Sequence, residues 1–318
     1  PIPRNLLARS IPEGATPEMS ALSTLALLHA QSFDWRVWKL YPSFMVGWLL
    51  FAALYFLCIG PLRRRFPGSR PATPRQVASF SAALLAMVLS LQGPLHEISD
   101  YYLFSAHMVQ HLVLILVMPP FLLAGIPDWM LRPALKPRPV RAFARAVTLP
   151  LVAFSLNNAI FLAWHFPGPY DLMMREHPVH IAMHLMIMVT GVIMWWPVMS
   201  PMPELPRIAS PLQMVYLFLV GIPMMISAAL ITFSGKPLYQ WYVQAPRIFG
   251  IDPLNDQRLG GVIMWVPGGL VLWIAITAVY FRWTQREVGE DEQEVKIRPP
   301  VTRSGMIVPP PYPNLEGR

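Results

Sequence analysis

Seven stretches of this chain are apolar for long enough to cross a bilayer, and that constrains its fold more than any other feature. A hydrocarbon core of roughly 30 Å takes about 20 apolar residues wound as helix, because lipid offers backbone N–H and C=O groups no partner. The runs fall at about 42–60, 74–92, 104–125, 147–165, 179–199, 211–233 and 259–281. Pro42, Pro74, Pro178 and Pro211 stand near their starts, where a first helical turn tolerates proline. The expectation is an all-α polytopic membrane protein, a bundle of seven transmembrane helices over 42–281. Residues 1–41 would form an extracytoplasmic N-terminal segment and 282–318 a tail. Charge agrees: 13% of the 318 residues are charged, against about 25% in a soluble domain.

In such a chain the formal charge of +8 says nothing about nucleic acid, and its distribution over the loops matters instead. Arg63, Arg64, Arg65, Arg70 and Arg75 fall between the first two spans, and Arg132, Lys136, Arg138, Arg141 and Arg145 between the third and fourth. The next loops on the other side carry Glu97 and Asp100, then Asp171, Arg175 and Glu176. The positive-inside rule puts the N-terminus outside and the C-terminus in the cytoplasm. The tail is acidic and then proline-rich, which reads as disordered. The short apolar run 21–30 follows Glu13, Glu18 and three prolines, and reads as an interfacial helix rather than a signal peptide. Cys58 stands alone in an apolar run, so disulfides and cysteine metal sites are excluded. Pro119-Pro120, Pro223 and Pro267 interrupt spans, and each kink should face protein rather than lipid.

Within this frame two histidine pairs stand out: His107 and His111 in the third span, His180 and His184 in the fifth. A spacing of four sets both imidazoles of a pair on one helix face, ~6 Å apart along the axis. A single such pair is more often a packed polar contact between helices than a ligand set. Here both pairs lie in the first turns of spans that enter from the outer side. His165, His177, His96 and His29 fall on that side too. Burying several imidazoles at one depth is costly without a shared task, and metal binding is such a task.

Imidazole nitrogens suit copper, zinc, iron or nickel. Met108, Met173, Met174, Met183 and Met186 stand near the histidines and would favour Cu(I), although 19 methionines dilute the signal. Asp100, Asp171 and Asp256 are outer acids that could orient imidazoles or simply sit in solvated loops. Trp164 to Tyr170 reads as a lid, and the other aromatics as an interfacial belt. There is no phosphate-cradling glycine loop and no dinucleotide fingerprint.

At these residues the sequence resembles a known family. His107-Met-Val-Gln-His111 with Met118-Pro-Pro-Phe-Leu-Leu-Ala-Gly125 is similar to the third span of the CtaG family, assembly factors of caa-type cytochrome c oxidase. Ala163-Trp-His-Phe-Pro-Gly168, Tyr170-Asp171, His177, His180 and His184 resemble its fourth and fifth spans, and Asp256-Gln257 to Met264-Trp265 its last. The resemblance implies a seven-helix protein of the bacterial inner membrane that helps to make active haem–copper oxidase by handling copper. Its partners would be oxidase subunits, copper and the bilayer.

Three functions then compete. The first is a non-enzymatic metallochaperone with primary ligands His107, His111, His180 and His184, and secondary ligands His165, His177 and His96. The second is a membrane haem protein, an oxidoreductase with axial histidines; an absorption spectrum separates it from the first. The third is a permanent accessory subunit of a respiratory oxidase, with structural histidines.

Overall fold

The computed structural model describes residues 38–297, with side chains to Val288. The expected N-terminal segment up to residue 37, with His29, and residues 298–318 lie outside the described residues. Among the described residues all regular structure is helical. Six helices are each long and apolar enough to cross a membrane, and two shorter helices that meet at a 71° bend make up to seven if the pair counts as one span.

The first two crossings are α1 (Pro42–Ile59) and α2 (Pro74–Leu91). A short helix, α3 (Gly93–Tyr101), turns the chain back. The third crossing is built from α4 (Phe104–Leu112), a π-turn (Val113–Val117) and α5 (Met118–Gly125). The π-turn has a local cause. Pro119 and Pro120 bring no N–H, so the carbonyls one turn earlier lose their helical donors. Trp195 Nε1 donates to the Ile115 carbonyl at 3.1 Å, so this kink faces protein, as lipid requires.

The bent crossing follows. Helix α6 (Arg138–Val147) meets α7 (Pro150–His165) at the 71° bend. With 16 residues, α7 is ~24 Å long and short of a full bilayer core. On α6, Val140, Phe143, Ala144 and Val147 share one face and line an apolar cleft against the bundle. Arg138, Arg141 and Arg145 share another face. That division suits a helix lying in the headgroup layer. Helix α8 (Pro167–Arg175) then leads into α9 (His177–Met199). The last elements are α10 (Ser210–Thr232), the single turn α11 (Gln240–Gln244) and α12 (Pro253–Ile297).

Packing closes five crossings into a ring. The third crossing lies between α12 and α9, α12 packs along α10, and α7 bridges α10 and α9. Helix α2 packs on the outside of α5, and α1 rests on α2. Close approach has a visible cause at Gly261, where a Cβ would run into Thr232 Oγ1 and the Ala228 carbonyl of α10. The short helices α3, α8 and α11 gather at one end of the ring, and the arginine-rich turns and α6 at the other.

The capping end is pinned by polar contacts. Lys39 and Tyr41 bond the Glu97 carboxylate at 2.6 and 2.7 Å. Gly93 opens α3 with φ +67°, and a Cβ there would stand 2.6 Å from the Trp38 ring. Most of all, Asp256 reaches across from α12 to α4. Its carboxylate accepts the Phe104 N–H at 2.7 Å and the Ser105 N–H at 3.1 Å. These are two of the free amides at the start of α4.

Two expectations are corrected in detail. The last helix does not stop near 281, and the expected tail begins as helix up to Ile297. Arginine, glutamine and glutamate are good helix formers, and Trp283 Nε1 bonds Glu287 one turn on at 2.8 Å. The span expected at 147–165 begins at Pro150, because the chain bends between Val147 and Pro150.

Removing the Asp256 cap leaves two buried amides without a partner. Asp256→Ala should cost about 2–4 kcal/mol, read as a lower thermal midpoint of the purified protein in detergent. The arginine asymmetry also predicts a topology: a cysteine at Arg63 should be labelled from the cytoplasmic side only.

Candidate metal centre

The π-turn, the Asp256 cap and the α9 packing set the rotation of the two histidine-bearing helices, and they turn both pairs to the same interior point. His107 is 0% exposed, His111 2%, and His180 and His184 7% each. The rings of His107 and His180 stack at 5.5 Å between centroids, His107 and His184 at 5.9 Å, and His111 lies 5.8 Å from His184. One nitrogen each of His107, His111 and His184 lies within 4.8 Å of the others. A second group at the same separation is Asp100, His107 and His180. His107 belongs to both.

Hydrogen bonding decides which nitrogen of His107 is free. Tyr242 has one hydroxyl proton, and its oxygen lies against the Ser99 carbonyl, which can only accept. His107 Nδ1 is 3.1 Å from the same hydroxyl oxygen, so Nδ1–H must donate to it. The Tyr170 hydroxyl adds a second donor at 3.3 Å. His107 is therefore held as the Nδ1–H tautomer, with the Nε2 lone pair turned inward. His111 Nε2 sits 2.7 Å from that lone pair and supplies the proton between them. His165 is fixed the same way: Nδ1–H donates to the Phe161 carbonyl at 2.7 Å, leaving Nε2 bare.

What remains is a set of buried nitrogens without partners: His111 Nδ1, His165 Nε2, His180 Nε2 and His184 Nε2. An unsatisfied buried polar group costs about 1–3 kcal/mol. Three of the four belong to histidines of the two three-donor groups, and the fourth, on His165, stands behind His111; unpartnered imidazole nitrogens in such a cluster are what a site for a cation with nitrogen ligands requires.

The other residues expected here divide. The His165 ring stands 5.7 Å from His111, on the deep side. Beyond it lies an enclosed void of about 20 Å³, room for about one water. Its walls include Met108, Met194, Met224 and Met264 beside His111 and His165. Of the methionines expected near the histidines, only Met108 lines it; Met194, Met224 and Met264 come from three other helices. His96 is not brought into either three-donor group. Gln110 Nε2 donates to its Nδ1 at 3.2 Å, and its Nε2 faces Asp100 at 3.5 Å. His177 is exposed on the first turn of α9. It lines a groove of about 390 Å³ between α1, α3 and α9, together with His96, Asp100, His180 and His184.

The three acids also part ways. Asp171 accepts the Gln240 and Trp241 amides at 3.3 and 3.2 Å and caps α11. Asp256 caps α4. Asp100 alone faces the cluster, with Oδ2 3.7 Å from His180 Nδ1. Burial pushes its carboxyl up to about 8 against a hydrogen bond from Ser99 that favours the anion. Burial likewise pulls His96 down to about 4. The positions of Asp100, Tyr170 and Tyr242 at the cluster carry no spacing signal in the sequence; α3, α8 and α11 bring them in.

Tyr242→Phe would leave His107 Nδ1–H and Ser99 without their partner and free the imidazole to change tautomer. Removing such a supporting contact costs about 10–100-fold in metal affinity. Titration against a competing chelator should show that loss for Tyr242→Phe and a smaller one for Tyr170→Phe.

Comparison with known proteins adds the family. Residues 53–286 match the family described as cytochrome c oxidase caa3 assembly factor (Caa3_CtaG). Uncharacterized proteins of Mycobacterium bovis and Mycobacterium tuberculosis are each 27% identical over 206 residues, which is 58% of this chain and 30% of theirs. One from Mycobacterium leprae is 26% identical over 204 residues. The chain thus spans less than a third of the length of these curated relatives. No solved structure matches it.

Proposed function

The chain belongs to the cytochrome c oxidase caa3 assembly factor family, and on that premise we propose that it binds copper at the buried histidine cluster and delivers it to the oxidase during assembly. One observation carries this reading: one nitrogen each of the buried His107, His111 and His184 lies within 4.8 Å of the others, in a cluster where His111, His165, His180 and His184 each keep a buried nitrogen with no hydrogen-bond partner. Copper is the cargo, and the residues suit it. His107, His111 and His184 offer three neutral nitrogens, and His180 with Asp100 adds a second set. Cu(I) is content with two to four soft or borderline donors. His165 stands behind them, while His96 and His177 serve the approach.

Loading and release need only ligand exchange at the ion, with no bond broken in a substrate, so the chain acts as a carrier and not as an enzyme. The oxidase receives the ion at the extracytoplasmic side of the bacterial inner membrane, where the positive-inside rule puts the capping end.

Single alanine variants of His107, His111, His180 and His184 test the reading. Each should reach a normal protein level by blot. Variants at His107, His111 and His184 should hold copper at least about tenfold more weakly than wild type and lower oxidase activity in membranes. Normal copper content and normal oxidase activity in all four would leave the histidines structural and the reading wrong.

A further inference from the structure

We propose that the cluster is a two-station path for a single Cu(I) ion, in which His107 is the ligand common to both stations and hands the ion from a groove-side station (Asp100, His107, His180) to a deep one (His107, His111, His184). This rests on the copper reading above and specifies how the ion moves.

The argument begins with the lone pairs. Both three-donor groups contain His107. Its Nδ1–H is committed to Tyr242, so Nε2 alone can bind an ion. One lone pair serves one ion, and the stations exclude each other. Two ions could not both be held by His107, so each three-donor set is complete only while the other is empty. A shared ligand instead lets the ion change partners without ever being free. It exchanges Asp100 and His180 for His111 and His184 while staying on His107. Along α9 the move from His180 to His184 is one helical turn, ~6 Å.

Direction follows from the surroundings. The groove-side station opens to the groove that holds His96, Asp100, His177 and His180 and that reaches His184, the first ligand of the deep station, at its inner side. The deep station backs onto the closed void lined by His165 and four methionines. Donors thus change from carboxylate oxygen with imidazole, to imidazole alone, to imidazole beside thioether. That series runs from hard to soft and favours Cu(I) increasingly with depth. The ion keeps its oxidation state throughout, so no reductant is needed.

The test uses the full chain in detergent, with Cu(I) supplied as a complex of a coloured chelator. Final stoichiometry, affinity and rate of transfer are read from chelator absorbance. Wild type should take one Cu(I) per chain. Asp100→Asn and His180→Ala should still reach one Cu(I) per chain but load at least about tenfold more slowly, whereas His111→Ala and His184→Ala should load at the wild-type rate and bind at least about tenfold more weakly. His107→Ala should lose both. X-ray absorption of Cu(I)-loaded His184→Ala should show oxygen and nitrogen donors in place of the all-nitrogen shell of wild type.

Two Cu(I) ions per wild-type chain would overturn the shared ligand. So would variants of both stations that lose affinity equally with unchanged loading rates. A wild-type chain that binds no Cu(I) would instead remove the copper reading itself, which separates the two failures. Asp100→Asn keeps the size of the side chain, and its thermal midpoint shows whether slow loading reflects the station or a damaged fold.

Discussion

Four bare imidazole nitrogens in the interior of a membrane bundle are the constraint that the rest of the structure answers to. Each is buried and each lacks a partner, and neither lipid nor a packed core offers one. The protein accepts this cost and holds the histidines in place from several directions. Asp256 fixes the start of α4 through two amides. Tyr242 fixes the tautomer of His107. Gln110 occupies His96, and the Phe161 carbonyl orients His165. None of these contacts completes the cluster, and all of them aim it. A purely structural polar core would be expected to satisfy itself, because a half-satisfied network is worse than an apolar one.

The proline and glycine punctuation of the helices serves the same end. Pro119-Pro120 forces the π-turn directly after His111, and the freed Ile115 carbonyl is taken up by Trp195 of α9. The same bond that repairs the kink also ties the two histidine-bearing crossings together. Gly191 lies at the same crossing, where a Cβ would be 3.2 Å from the Ile115 carbonyl oxygen. Backbone contact there holds the two crossings together two to three turns from the stacked His107 and His180 rings.

Much of this was legible in the chain before any coordinates. Apolar run length gives the crossings, and a spacing of four gives each histidine pair a common face. Convergence of the pairs was foreshadowed by their matched depth, because the spans carrying them enter from the same side. Asp100 was one of three outer acids read as able to orient an imidazole, with nothing to set it apart from the other two, and the role of Tyr242 was not legible, for a physical reason. Tyr242 and Asp100 act through side chains brought together by short helices between the spans, and no periodicity links residue 242 to residue 107. By sequence Asp256 and Asp171 read as outer acids that either orient an imidazole or sit in solvated loops. They instead cap α4 and α11 from other elements, which depends on how those elements pack. The acidic stretch after Arg282 looked disordered from its charge, yet its helix-forming residues continue α12. The bend at Val147 to Pro150 was hidden because α6 carries apolar residues on one face only.

Access to the cluster follows from which helices wall it. The third crossing and α9, which carry the two pairs, are about half buried. Helix α1 is 17% buried and rests mainly on α2, yet Phe44, Gly47, Trp48 and Phe51 form one side of the groove beside Asp100, His180 and His184. The mouth of the site is thus framed by its least-packed crossing on one side and its histidine helix on the other. A site enclosed by the five-helix ring alone would have no lateral opening, and its ligands could be reached only by parting the core. Here the ring keeps the imidazoles at fixed separation while the groove side depends on a helix with few contacts to lose. Rigid imidazoles and a lightly held wall are separable demands, and in this fold they fall on different helices, as the proposed carriage of an ion would require.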